Sequence, residues 1–98
     1  IYEVDIVLSD RSAKKFCSIY CAVQWFKNNA PLVDHVIVTD EMRGKKIDSN
    51  MAYFVESELI TNETNDNRIH VFLQRQDALT HAEKFHGTIT DDPFTMDE

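Results

Sequence analysis

The chain has 98 residues, of which 43% are hydrophobic, and 17 acidic against 10 basic residues give it a net charge of −7. This length supports one domain with a single core, and the composition is that of a folded protein rather than a disordered tail. An acidic surface repels phosphate, so we do not expect nucleic acid or a lipid surface as a partner. No apolar stretch approaches the roughly 18 residues that span a bilayer. The sequence begins in a strand pattern without a methionine or signal peptide, so we expect a mature or truncated chain.

The first half of the sequence predicts two strands, a helix and a third strand. These elements are expected at residues 2–8, 14–16, 19–28 and 33–39. The helix has Ser18 as its predicted N-cap, and the i, i+3, i+4, i+7 spacing indicates one buried face. That face consists of Ile19, Ala22, Val23 and Phe26.

The second half repeats this order after a predicted charged loop over 40–50. Strands are expected at 52–55, 69–73 and 88–90, a polar connection at 57–67, and a helix at 77–86 that Asp77 caps and Gly87 stops. The repeated order predicts an α+β fold of two ββαβ units, at 1–40 and 51–91, packed around a shared core in a single domain. An acidic tail follows at 92–98. The predicted core includes Phe26, Ile37, Phe54, Val55, Phe72 and Phe85.

The two cysteines, Cys17 and Cys21, lie where the second strand gives way to the first helix. The positive end of a helix dipole at this junction favours thiolate, which binds soft metals or reacts. Cys21 falls roughly 160° from the centre of the apolar stripe, so it is not a core position. Three interpretations remain open: buried apolar side chains, a metal site or one completed by a partner, and a disulfide.

The other soft or titratable side chains are scattered. The histidines do not share the spacing of a metal pair, and we interpret His70 as a surface or hydrogen-bonded residue and Asp77 with His81 as a helix-surface pair. Met42 is the one methionine considered as an additional soft ligand. Met51 is expected in the core and Met96 in the tail. No catalytic motif is present, so a non-enzymatic protein is predicted.

Several short strings, in this order, resemble the NosL family of copper-binding accessory lipoproteins for nitrous-oxide reductase. They are Phe16-Cys17-Ser18 before an aromatic-rich helix, Val36-Ile37-Val38-Thr39-Asp40, Lys46-Ile47-Asp48 before Ala52-Tyr53-Phe54-Val55, and Ala82-Glu83-Lys84-Phe85-His86-Gly87. The resemblance covers roughly residues 4–92. It implies a periplasmic or otherwise extracytoplasmic protein that carries Cu(I) to an acceptor, with membrane association only through a missing N-terminal anchor.

The sequence departs from that family in its metal ligands. The family's Cys-Gly-Met segment and its lipid-bearing cysteine are not present in these residues, so none of those ligands is carried over. The Cys17/Cys21 pair instead resembles small treble-clef-like domains, where a Phe-Cys-Ser-x-x-Cys string supplies two of four zinc thiolates.

Two functions therefore follow as hypotheses. The first is copper or other soft-metal handling, with Cys17 and Cys21 as ligands, Cu(I) as the metal, zinc as the alternative, and an acceptor or host protein as the partner. The second is a small interaction subunit on a larger redox protein or metalloprotein, with Tyr20 and Trp25 as interface anchors. A thiol-disulfide enzyme is a weaker third interpretation, because active dithiols usually occur as Cys-x-x-Cys.

Overall fold

The fold consists of two antiparallel sheets with one α-helix each, in a computed structural model that describes residues 3–58 and 68–94. In chain order the elements are β1 (Val4–Leu8), β2 (Ala13–Phe16), α1 (Ile19–Asn29), β3 (Val33–Thr39), β4 (Lys46–Asp48), β5 (Tyr53–Glu56), β6 (Ile69–Phe72), α2 (Arg75–Lys84) and β7 (Thr88–Thr90). Two 3₁₀ turns lie at Ala30–Leu32 and Ser49–Met51. The predicted α+β class is confirmed.

The two halves share strand pairing as well as element order. The first sheet has the order β2-β1-β3-β4 and the second the order β6-β5-β7. In each sheet the first strand of the ββαβ unit is central, its hairpin partner lies on one side, and the strand after the helix lies on the other. The repeated element order therefore reflects a repeated topology.

The core is shared between the two sheets. Its main cluster comprises Val4, Ile6, Ile19, Ala22, Phe26, Val36, Val38, Phe54, Val71 and Phe94. Phe94 packs edge-on against Phe26, with 5.5 Å between the ring centroids. A smaller cluster beneath α2 contains Val55, Phe72 and Ala78. The predicted core is thus confirmed for four of its six residues.

Ile37 and Phe85 are only half-buried, which corrects the predicted core. Ile37 pairs with Asp5 and Asp48 across the first sheet, so it lies on the face opposite the core. Phe85 is the C-cap of α2, where its ring covers His81 at a centroid distance of 4.6 Å.

The outer face of the first sheet is charged. Lys46 lies 2.9 Å from Asp5 and 2.5 Å from Glu3, and Lys15 also pairs with Glu3 at 3.3 Å. The hydrogen bonds that Glu3 accepts, from Lys46 first and then from Lys15, lower the pKa of Glu3, and the bond that Lys46 donates to Glu3 raises the pKa of Lys46. Lys46 belongs to β4, a three-residue strand within the segment that the sequence predicts as a loop. This short strand forms because β3 offers an unpaired edge beside it.

The start of α2 also differs from the prediction. The helix begins at Arg75, with Gln74 at the N-cap position and no hydrogen bond from its side chain. Asp77 lies in the first turn, where a carboxylate suits the helix dipole, and its Oδ2 accepts from Arg43 Nη1 at 2.9 Å. A tertiary ion pair therefore takes the carboxylate that the sequence assigns to capping.

Gly87 is needed for a close approach rather than for a left-handed turn. His86 adopts the positive φ of 56° after the helix. A Cβ on Gly87 would lie 2.8 Å from Ser57 Cβ and 2.9 Å from the Glu56 carbonyl oxygen. Because Gly87 has no Cβ, the backbone that follows α2 can pass directly over the end of β5.

The segment after β3 joins the two halves by bonding to the outer edge of β6. Fully buried Asp40 accepts from the Leu73 amide through Oδ1 and from the Arg43 amide through Oδ2, both at 3.0 Å. The Glu41 amide donates to the Val71 carbonyl at 3.0 Å, and Glu41 Oε2 accepts from the Val71 amide at 3.2 Å. Two carboxylates and one amide therefore satisfy an edge that would otherwise be open.

Truncating either of two deeply buried rings should destabilise the fold strongly. We expect Phe26→Ala and Phe72→Ala each to lower the free energy of unfolding by about 3–5 kcal/mol, because both remove a fully packed ring. Urea unfolding measures the loss. Leu32→Ala is the control, since Leu32 is 56% exposed and should change stability by less than about 0.5 kcal/mol. Losses below about 1 kcal/mol in both Phe variants would contradict the packing described.

Asp40→Asn tests the junction between the halves. An amide in place of the carboxylate keeps one acceptor and presents an N–H group to a backbone amide, so we expect a loss of at least about 1.5 kcal/mol in urea unfolding. Asp91→Asn is the matched control, because Asp91 is exposed. Equal stability of the two variants would show that the Asp40 contacts do not hold the halves together.

Candidate metal-binding site

The N-terminus of α1 places the two cysteines. Ser18 has extended backbone (φ −157°) and its Oγ accepts from the Cys21 amide at 3.3 Å, so the predicted N-cap is confirmed. Cys17 therefore precedes the cap and Cys21 is the third residue of the helix. The two side chains flank the cap rather than occupying successive turns of one helix.

The two thiols differ in accessibility. Cys17 is exposed, whereas Cys21 is half-buried, and the two are not joined in a disulfide. The buried residues of the helix are Ile19, Ala22 and Phe26, which confirms that Cys21 lies off the core stripe. The first turn holds no acidic residue, so no side-chain charge there offsets the positive end of the helix dipole.

The two predicted interface anchors have different surroundings. Tyr20 is 43% exposed beside Cys21. Trp25 packs against the main core, and its ring centroid lies 6.1 Å from that of Phe16. Lys14 Nζ lies 5.7 Å from the centroid of the Trp25 ring. Of the two, Tyr20 is thus the side chain that the structure presents to solvent, while Trp25 joins α1 to β2.

Met42 belongs to a different surface. Its side chain is 62% exposed and lines a cavity of about 210 Å³ together with Phe72, Asp77, Thr80, His81, Lys84 and Phe85. Neither cysteine borders this cavity. Met51, expected in the core, is 67% exposed in a 3₁₀ turn, and Met96 lies outside the described residues.

Two histidines have environments that the sequence did not indicate. His70 is fully buried, with Nδ1 donating to the Glu41 carboxylate at 3.0 Å, and His81 is 9% exposed, with Nε2 3.0 Å from Ser57 Oγ. His70 is therefore hydrogen-bonded, as predicted, but not on the surface. The predicted Asp77–His81 surface pair is wrong, because Asp77 bonds to Arg43.

The sequence did not reveal the burial of His70 or its bond to Glu41, because β6 is buried on both faces. His70, Val71 and Phe72 are all buried, so alternation does not separate an outer from an inner side in this strand. The available signal was weak: a histidine between apolar residues in a short strand. Its carboxylate partner lies 29 positions away in the sequence.

Neither a preformed metal site nor a membrane span is evident in the part of the chain that the structure describes. Across residues 3–58 and 68–94, no cluster of three or more His, Cys, Asp or Glu side chains is arranged to hold a metal ion. None of the helices in these ranges is long and apolar enough to cross a bilayer. A metal site built on Cys17 and Cys21 would therefore have these two sulfurs as its ligands from the described residues.

The fold is similar to that of a solved copper protein. No protein-family profile matches the chain, and no curated protein sequence matches it significantly. The crystal structure of the copper chaperone NosL from Shewanella denitrificans superposes with a TM-score of 0.79, at 19% sequence identity, over 90% of this chain and 73% of that one. This protein thus has a NosL-like fold.

Proposed function

We propose that this protein binds a soft metal ion, with Cu(I) as the preferred cargo, and passes it to an acceptor protein. The similarity of its fold to a copper chaperone is the observation that carries the proposal. At 19% identity that similarity concerns the fold, so the ligands are argued from this chain's own residues. We infer membership of the NosL family and an extracytoplasmic location on the same basis.

Cys17 and Cys21 are the proposed ligands. Cysteine sulfur is soft and selects Cu(I) over hard cations. The pair flanks the cap of α1, where the helix dipole favours the negative charge that thiolate ligands carry. Exposed Cys17 gives an incoming ion direct access, and half-buried Cys21 lies four residues further along the chain, beyond the cap.

Zinc fits these residues less well. A structural zinc site takes four ligands, usually Cys or His in tetrahedral geometry. The described residues offer the two cysteines and no larger ligand cluster, so a zinc site would need ligands from other residues or from a partner. Cu(I) held by two thiolates needs no such completion, and an exposed, open site suits transfer by ligand exchange.

A protein-interaction role is the second candidate. Tyr20, beside Cys21, is 43% exposed, and large aromatic side chains dominate binding hot spots. In the metal-handling proposal this face meets the acceptor, which we infer to be a redox protein or metalloprotein. In the alternative it meets a host protein and the cysteines hold no metal. Metal titration separates the two.

Titration of the reduced chain with Cu(I) against bathocuproine disulfonate tests the cargo and its ligands. We expect the chain to compete for Cu(I), and Cys17→Ser and Cys21→Ser each to weaken binding by about tenfold or more, which is about 1.4 kcal/mol. Zn(II) should bind more weakly than Cu(I). Full Cu(I) affinity in the Cys17→Ser/Cys21→Ser double variant would remove the cysteines from the function and favour the interaction role.

A methionine pair provides a matched control for that titration. Met42 and Met51 are both more than 60% exposed, and neither is a ligand in the proposal. We expect Met42→Leu and Met51→Leu to retain the full affinity for Cu(I). A loss confined to Met42→Leu would move the site to the cavity that Met42 lines.

The rates of thiol modification test the accessibility of the ligands. We expect Cys17 to react with iodoacetamide faster than Cys21, because reaction requires access to sulfur and Cys17 is the more exposed. Mass spectrometry of peptides after short labelling times measures both rates. Adding Cu(I) should slow both reactions together. Faster labelling of Cys21 would contradict the described arrangement at the helix start.

A further inference from the structure

Four side chains form a polar network beneath α2, in which Ser57, His70 and His81 are buried and Glu41 is half-buried. Glu41 Oε1 and Oε2 both lie 3.0 Å from His70 Nδ1, and the His70 and His81 rings are 4.3 Å apart between centroids. His81 Nε2 lies 3.0 Å from Ser57 Oγ. We call His70 and His81 the histidine pair. The network runs from the segment after β3, through β6, to α2 and the end of β5.

The attachment of α2 depends on this pair more than on apolar packing. The buried residues of α2 are Ala78 and His81, whereas α1 buries Ile19, Ala22 and Phe26. The His81 ring fits between Phe72 and Phe85, with centroid distances of 5.2 and 4.6 Å. His81 is therefore the largest side chain that anchors α2, and it is titratable.

Burial and the neighbouring cationic groups disfavour a proton on His81. Burial lowers the pKa of His81 first, followed by the charge on His70 and, more weakly, that on Lys84, while Glu41 opposes these effects. Asp77 also borders the cavity, but it bonds to Arg43 at 2.9 Å. The Glu41 carboxylate, whose charge opposes these effects, bonds to His70 rather than to His81. A proton on His81 therefore gains no ion pair among the described residues.

Solvent can supply that proton. His81 borders the cavity of about 210 Å³ that Met42 and Thr80 also line. The ring is 9% exposed, in contrast to fully buried His70. A change in pH outside the protein thus reaches His81 while α2 is still in place.

We propose that the histidine pair is an acid-sensitive latch, in which a proton taken up by His81 releases α2 from β6. The charged ring leaves the apolar slot between Phe72 and Phe85 for water. Release of α2 breaks the ion pair between Asp77 and Arg43, whereas Asp40 and Glu41 keep their bonds to the edge of β6. Release opens the cavity, whereas α1 and its cysteines remain on the first sheet.

The attachment of α2 weakens as the pH falls, because protonation of His81 and the folded position of α2 are linked. The folded state holds the pKa of His81 below the ordinary value of about 6.5 in an unfolded chain, so it binds fewer protons than the released state. The stabilisation is fully present above about pH 6.5 and declines as the pH falls through the lower value of the folded state. Acid is therefore the releasing signal.

Hydrogen exchange at several pH values between 7.5 and 4.5, corrected for the rate in unprotected peptides, tests the latch. One extra proton in the released state makes local opening more frequent by up to about tenfold per pH unit. We expect amides of α2 to lose protection at that slope while amides of α1 keep theirs. Equal loss in both helices, or none in α2, would overturn the proposal.

Two variants, followed by the same hydrogen exchange, test whether His81 causes the loss of protection in α2. His81→Gln can still bond to Ser57 but does not titrate, so the α2 amides should lose their pH dependence. His35→Gln is the control, because His35 bonds to Asp34 outside the network, and it should behave as the unaltered protein.

Imidazole NMR titration of the unaltered chain remains informative if His81→Gln does not fold. We expect His81 to take up its proton below about pH 6.5, over the range in which α2 loses protection. Uptake at or above that value, or uptake without loss of protection, would overturn the latch. Because the cysteines take no part, failure of Cu(I) binding would leave this result intact.

Discussion

The rest of the structure depends on the burial of two consecutive carboxylates, Asp40 and Glu41, against the edge of β6. Asp40 is fully buried, a costly environment for a charge unless hydrogen bonds replace water. The Leu73 and Arg43 amides donate to it, and the Val71 amide donates to Glu41. These bonds fix the second sheet against the segment that leaves the first. The shared core and the position of α2 follow from that register.

This junction separates two chemically different regions. The first sheet carries α1 and the cysteines at its cap, where soft sulfur is close to solvent. The second carries α2, the histidine pair and a cavity lined by Met42. The proposed metal capture and the proposed acid response therefore fall on different helices. A proton at His81 does not touch the cysteines in the other region, so the two proposals can fail independently.

The two helices also show how different interactions hold similar elements. α1 packs by apolar area, which responds little to pH, whereas α2 is attached through imidazole, carboxylate and guanidinium groups. Equivalent positions in a repeated topology thus hold different kinds of side chain. The fold is similar to that of a copper chaperone, whereas the chemistry of any site depends on the particular side chains of this chain.

Local chemistry in the sequence determined the elements themselves. Ser18 caps α1 because its hydroxyl reaches an amide three residues later, and the stripe from Ile19 to Phe26 sets the buried face. Alternation and β-branched runs predicted β1 and β3, and the repeated order predicted the fold class. Each of these signals acts over a few residues, so it survives in a single sequence.

Only the tertiary structure decided where the polar side chains lie. Lys46–Asp48 is a strand because β3 offers it an edge, and Asp77 faces Arg43 because the 40–43 segment folds over α2. The interaction of His70 with Glu41 needs residues 29 positions apart to meet. The periodicity of hydrophobic residues indicates which face of a helix or strand is buried. It does not show which distant side chain will contact that element, because the contact depends on how the elements pack.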